Sequence, residues 1–284
     1  MNKKLSYQIT HSQNGLTVKT VLLSLGFSRH EISRFKFSNY KLCLNNNFIR
    51  VNHVVHTDDV LVIEELENEV FPLGQVTCYP EILYEDEDVV VVNKPSGMPS
   101  HPSHLHLQDD MGTALRNYYQ DEHFVIRPIG RLDKDVSGIM LYAKNQLAAA
   151  RLTKMRHTDE LKKTYIAIIQ GQLPDSGELS FHLSKDNHRR VHTQDGQACK
   201  MEYKTLKRSE NTTMIEVHLI TGRTHQIRAG FAGLGHPLVG DQLYGGSIEH
   251  LDRPALHCVR LQFKQPFCHQ VIDVHVDIPK EMMV

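Results

Sequence analysis

Short, wholly apolar runs separate longer mixed stretches along the chain, and the spacing within each run predicts its element. VVVVN, inside EILYEDEDVVVVNKPSG, has four consecutive apolar residues and closes on a Lys-Pro-Ser-Gly turn, the pattern of a strand buried on both faces. GIMLYAKN, TYIAIIQGQL, MIEVHLITG, PALHCVRLQF and VIDVHVDIP read as further strands, several with period-two alternation. Helical spacing is found around DMGTALRNYYQ, NQLAAARLTKMRH and RTHQIRAGFAGLG. Strands outnumber helices and do not alternate with them regularly. That predicts an α+β fold with a mixed, mainly antiparallel central sheet flanked by helices and loops.

The first 65 or so residues follow a different rhythm. An amphipathic segment TVKTVLLSLGF precedes a second helix at SRHEISRF, where Ser28 and Glu31 form a capping box, and the strand-like pieces KLCLNN, FIRVNHVV and DDVLVIEE follow. An acidic stretch with Pro72 and Gly74, LENEVFPLGQ, then reads as a linker. The predicted division is a small α/β module over residues 1–68 and one large domain over residues 76–284.

Composition narrows the function classes. With 284 residues and 40% apolar residues the chain can bury an ordinary core. No stretch approaches the ~20 apolar residues of a membrane span, and the N-terminus lacks a secretory apolar core, so the cytoplasm is the expected location. Five scattered cysteines with no CxxC predict neither disulfides nor a thiolate zinc site. The net charge of -1 is unevenly sorted: residues 1–50 hold eight Lys and Arg against one acid, Glu31. Arg151, Lys154, Arg156, Lys162 and Lys163 make a second basic concentration, so a polyanion has two places to land.

The candidate chemistry lies in RPIGRLDKDVSGIMLYAKN, residues 127–145. Its aspartates sit on the loop entering a buried strand, where a rigid scaffold commonly mounts a site. Asp133 and Asp135 would be ~7 Å apart in extended backbone, compatible with a paired-carboxylate glycosidase. The plainer alternative is that Asp135 caps the turn with Ser137 while an arginine holds Asp133. TGRTHQIRAGFAGLGHPLVGDQLYGG presents Arg223, His225, Gln226 and Arg228 within six positions of a strand end, and Arg223 is a candidate counter-ion for a buried Asp133. His101, His104 and His106 cluster in HPSHLH, but no carboxylate or cysteine at ligand spacing completes a metal site.

GRLDKDVSGIMLYAKN, LKKTYIAIIQG, LITGRTHQIR, GHPLVGDQLYG, RPALHCVRLQF and ILYEDEDVVVVNKPSGMPSHPS together resemble, in order, the motifs of the RluA-type family of RNA pseudouridine synthases. The N-terminal segment resembles the αL RNA-binding module of ribosomal proteins and RNA-modifying enzymes. The resemblance implies that uridine in structured RNA, ribosomal or transfer, is isomerised to pseudouridine without metal or redox cofactor. It implies a catalytic Asp133, with Tyr165 and Arg223 as the other site residues. Arg131, His225, Gln226, Arg228, Lys154, Arg156, Lys162 and Lys163 are the candidate RNA contacts. A monomer is the default expectation. The competing class is an RNA-binding or RNA-chaperone protein that keeps the scaffold without catalysis; retention of all three site residues favours the enzyme.

Overall fold

The computed structural model describes residues 4–35, 40–66, 79–101, 109–120, 127–187 and 189–283. The N-terminal part comprises β1 (Lys4–Gln8), α1 (Val18–Ser24), α2 (Arg29–Arg34), β2 (Tyr40–Leu44), β3 (Asn47–Phe48) and β4 (Val60–Glu65). Its strands form an antiparallel sheet in the order β1-β4-β2-β3, packed against the two helices around Val21, Leu22, Phe27, Leu42 and Ile63. The predicted capping box forms: Ser28 Oγ accepts the Glu31 N–H, and the Glu31 carboxylate accepts the Ser28 N–H at 2.7 Å.

FIRVNHVV is not the strand its apolar residues predict, because only Asn47–Phe48 pairs as one. The carbonyls of Val51 and His53 instead accept the N–H groups of Lys19 and Val18, which open α1 and have no partner inside the helix. β1 carried no sequence signal strong enough to name it. All but the first residue of the predicted linker lies outside the described residues.

The larger part contains β5 (Glu81–Glu85), β6 (Val89–Lys94), α3 (Met111–Tyr119), β7 (Arg127–Pro128), β8 (Ser137–Ala143), α4 (Gln146–Met155), β9 (Leu161–Gln170), β10 (Ser176–Asp186), β11 (Arg189–His192), β12 (Gln197–Arg208), β13 (Thr212–Leu219), α5 (Gln226–Gly233), β14 (Leu256–Lys264) and β15 (Val271–His275). One mixed sheet takes all eleven strands, in the order β11-β10-β12-β13-β9-β14-β8-β6-β5, with β15 added beside β14 and β7 beside β8. Among the described residues only β8 and β14 run parallel. Their backbones touch so closely that a Cβ at Gly138 would stand 2.4 Å from the Cys258 carbonyl oxygen, so position 138 admits glycine alone. The fully apolar runs read from sequence are β6 and the heart of β8, buried on both faces.

The two parts touch through α4. The buried carboxylate of Glu65, at the end of β4, accepts the N–H groups of Gln146 (2.8 Å) and Leu147 (3.4 Å), so the module caps a helix of its neighbour. Leu147 belongs to the module's core, and the Arg151 guanidinium lies between the rings of Phe27 (4.7 Å) and Phe267 (4.5 Å). Among the described residues no helix is long and apolar enough to cross a membrane.

Candidate active site

The loop between β7 and β8 carries Asp133, and the side chains of Lys94, Ser96 and Ser100 fix its course. Lys94, fully buried at the end of β6, donates to the carbonyls of Pro95 (2.8 Å), Met98 (2.7 Å) and Lys134 (3.0 Å). Burial pulls its pKa down to about 7, while three acceptors use the three N–H bonds of the ammonium. Ser96 Oγ donates to the Asp135 carbonyl, and Ser100 Oγ both donates to and accepts from the Leu132 backbone. The Lys-Pro-Ser-Gly turn thus holds the aspartate loop from below.

The second wall comes from the turn between β13 and α5. Gln226 is buried, and its Oε1 accepts the Thr221 hydroxyl and the Arg223 N–H while its Nε2 donates to the Lys200 carbonyl. His225 enters the helix in the left-handed conformation, φ 55°, which costs a residue with a Cβ energy. That bend brings Arg228, on the first turn of α5, to Asp133: Nη1 donates to Asp133 Oδ2 at 3.0 Å. Its Nε and Nη2 clasp Asp241 at 2.7 and 2.8 Å. Burial works against the guanidinium charge, but Asp241 and Asp133 outweigh it and raise the pKa above the usual arginine value. His225 Nε2 lies 3.7 Å from Asp133 Oδ2.

These residues border a pocket of about 50 Å³ whose other walls are Leu132, Val136, Leu256 and the ring of Tyr165 on β9. Tyr165 is directly opposite Cys258 on β14. Burial, then the neighbouring Cys258 and Asp133, raise its phenol well above the ordinary tyrosine value, so it is a neutral hydroxyl at any physiological pH. Among the described residues no hydrogen bond reaches Asp133 Oδ1, and Asp133 lines the pocket.

The structure therefore brings together Asp133, Tyr165, Arg223, His225 and Arg228, with two changes of role. The ion pair on Asp133 is made by Arg228, not by Arg223: Arg223 stands before the bend, exposed on the rim, with Nε 3.5 Å from the Ala198 carbonyl. Arg228 and Gln226, expected among the RNA contacts, are buried and spend their polar atoms within the protein. Lys163 departs similarly. Burial, with Arg156 nearby, lowers the pKa of its ammonium against the opposing pull of Cys258, so it faces inward while exposed Lys162 pairs with Asp159 at 3.6 Å. Arg131 is exposed and donates to Thr224 Oγ1 at 2.6 Å, joining the two loops of the site. Lys154 and Arg156 are exposed at the C-terminal end of α4.

Asp135 is exposed, and Ser137 bonds His257 Nδ1 at 2.7 Å, which leaves no cap between them. Among the described residues no three His, Cys, Asp or Glu side chains converge to hold a metal; His104 and His106 lie outside them. Sequence reasoning missed Lys94, Asp241 and Tyr244. All three lie in the quoted motifs, but their spacing does not reveal that they meet Asp133 or its neighbours.

A family model described as RNA pseudouridylate synthase matches residues 88–233. An uncharacterized RNA pseudouridine synthase of Bacillus subtilis (strain 168), YjbO, is 32% identical over 275 residues, covering 94% of this chain and 97% of its own. The ribosomal large subunit pseudouridine synthase D of Yersinia pestis is 33% identical over 223 residues, 72% of this chain and 68% of its own. Among solved structures, human RNA pseudouridylate synthase domain containing 4 superposes with a TM-score of 0.58 at 22% identity, over 72% of this chain and 90% of its own.

Proposed function

This chain belongs to the RNA pseudouridylate synthase family and is an isomerase acting on RNA, and from that premise we propose that it converts uridine in ribosomal RNA to pseudouridine with Asp133 as its one catalytic carboxylate. Relatives such as the ribosomal large subunit pseudouridine synthase D of Yersinia pestis support ribosomal over transfer RNA. The observation that carries the reading is Asp133 itself: one oxygen held by Arg228, the other without a hydrogen bond among the described residues, in a pocket also walled by Tyr165.

The reaction breaks the bond from ribose carbon 1′ to N1, turns the uracil while it stays bound, and rejoins it through carbon 5, which gives up its proton while N1 gains one. Atoms and oxidation state balance without a cofactor. The free Asp133 oxygen either attacks carbon 1′ or takes the proton from carbon 2′, and both need an ionised carboxylate aimed at the sugar. Arg228 supplies the opposite charge that offsets its desolvation. The Tyr165 ring offers the uracil a flat face; its hydroxyl, neutral and turned to Cys258, serves as a hydrogen-bonding group rather than a phenolate base.

A stacked uridine must be flipped to enter, at a cost of a few kcal/mol, so rim cations must hold the neighbouring phosphates. Arg156 suits this role. A Cβ at Gly130, which sits at φ +78°, would be 3.3 Å from its guanidinium, and one at Gly222 would be 3.6 Å from it. The cation therefore lies in the seam between the aspartate loop and the arginine turn, and among the described residues no carboxylate pairs with it. Arg156→Gln is expected to weaken ribosomal RNA binding and to lower the slope of log affinity against log salt by about one. Affinities measured across a salt series check this; an unchanged slope removes Arg156 from the interface. The N-terminal module, with its basic surplus, extends the RNA-binding surface in this reading.

Mapping pseudouridine in ribosomal and transfer RNA from cells with and without the gene tests the function. One or more ribosomal sites are expected to revert to uridine. A lost transfer RNA site would replace the substrate, and an unchanged map would leave a binding protein.

A further inference from the structure

Tyr244, in the short turn Gln242–Tyr244 of GDQLYG, ties the β10–β11 hairpin to the pocket. Its hydroxyl oxygen accepts the backbone N–H of Arg190 at 2.7 Å and lies 3.0 Å from His225 Nδ1. The backbone N–H takes one lone pair of that oxygen and the phenolic proton remains for Nδ1; in this assignment Nδ1 is the bare nitrogen. The imidazole proton accordingly sits on Nε2. Burial lowers the His225 pKa; Asp133 and Asp241 on one side oppose Arg228 and Arg190 on the other, and the ring is neutral at pH 7. The orientation is fixed too: the Tyr244 ring meets His225 edge-on, with centroids 5.8 Å apart, and the Arg228 guanidinium covers Tyr244 at 5.3 Å.

The result is a neutral N–H, aimed at a gap. Nε2 is 3.7 Å from Asp133 Oδ2, too long for a direct hydrogen bond, and Oδ2 already accepts from Arg228. A hydroxyl beside that gap can accept from Nε2–H and donate to the carboxylate at once. Of the buried polar walls, Gln226 holds its own turn, Arg228 holds two carboxylates, and the Tyr165 hydroxyl is turned to Cys258; Arg131 and Arg223 stand exposed at the mouth.

We propose that His225 reads the ribose 2′-hydroxyl of the flipped nucleotide, with Tyr244 as the residue that positions it. The inference rests on the reading above that Asp133 meets the sugar at carbon 1′ or 2′, since the polar atom on carbon 2′ is that hydroxyl. A deoxyribose would leave Nε2–H facing the gap with no acceptor, and the site would thereby distinguish RNA from DNA at the target itself.

The test uses two oligoribonucleotides spanning the uridine mapped above, one with uridine and one with a single 2′-deoxyuridine at the target. The full chain is expected to bind the first more tightly by roughly five- to tenfold, about what one well-placed neutral hydrogen bond supplies. His225→Ala and Tyr244→Phe are expected to shrink that ratio to within about twofold, and His225→Gln, which keeps an N–H donor, to restore part of it. A role confined to folding would weaken both oligonucleotides alike and leave the ratio intact. An unaltered ratio in His225→Ala, or no preference in the unmodified protein, overturns the inference while leaving the isomerase reading in place. If deletion of the gene changes no uridine, the premise has failed first, before either oligonucleotide is made.

Discussion

Asp133→Asn is expected to leave no measurable pseudouridine, a loss of at least about 10³-fold, because the amide can neither attack the sugar nor take its proton. The substitution is nearly isosteric. Arg228 keeps both bonds to Asp241, so the second wall of the pocket stands, and Arg156 and Arg131 remain beside it. RNA affinity is therefore expected to stay within about tenfold of the unmodified protein, since the phosphate contacts that dominate it are untouched. Single-turnover assays on ribosomal RNA, run beside a binding titration, separate the two quantities. Asp135→Asn is the matched control, one exposed carboxylate removed two positions away, and it is expected to turn over normally. Full activity in the Asp133 variant would sink the assignment; equal damage from both would revive the paired-carboxylate alternative.

The same contrast between buried and exposed positions decides how much was legible beforehand. β6 and β8 could be read because strands covered on both faces are apolar at every position, a pattern with few alternatives of that length. α2 could be read from its capping box, which is a local event. β10 and β12 went unread although Leu179, Phe181 and Leu183, and then Cys199, Met201 and Tyr203, alternate with polar neighbours; each run is short and set among charges in SGELSFHLSKD and QACKMEYKTLKR, without the continuous apolar core that marks β6 and β8. The reaction was reachable because collinear motifs mark it. The counter-ion was not. Arg223 and Arg228 are five positions apart in one polar stretch, and only the left-handed bend at His225 decides which faces Asp133. Lys163 misled for a related reason: a basic run looks solvated in one dimension, but alternation along β9 turns one of its members inward.

Arg228 is where fold and chemistry share a side chain, and its removal should show in both. Arg228→Met fits the apolar part of the space but leaves two carboxylates facing each other without a cation. Asp241 is fully buried and Asp133 largely so. Breaking a buried pair from one side typically costs about 3–5 kcal/mol, most of it from the charge left behind. A stability loss of that order is expected in denaturant titrations, together with loss of turnover. Misfolding alone could produce the second effect, so a double variant separates them. In Arg228→Met with Asp241→Asn the deeper stranded charge is gone, and stability is expected to recover by about half or more of the loss. Turnover is not expected to recover with it, because Asp133 still lacks the guanidinium that holds one of its oxygens and aims the other. If activity returned along with stability, Arg228 would be a scaffold residue only, and the charge pairing at the centre of the proposed mechanism would be wrong.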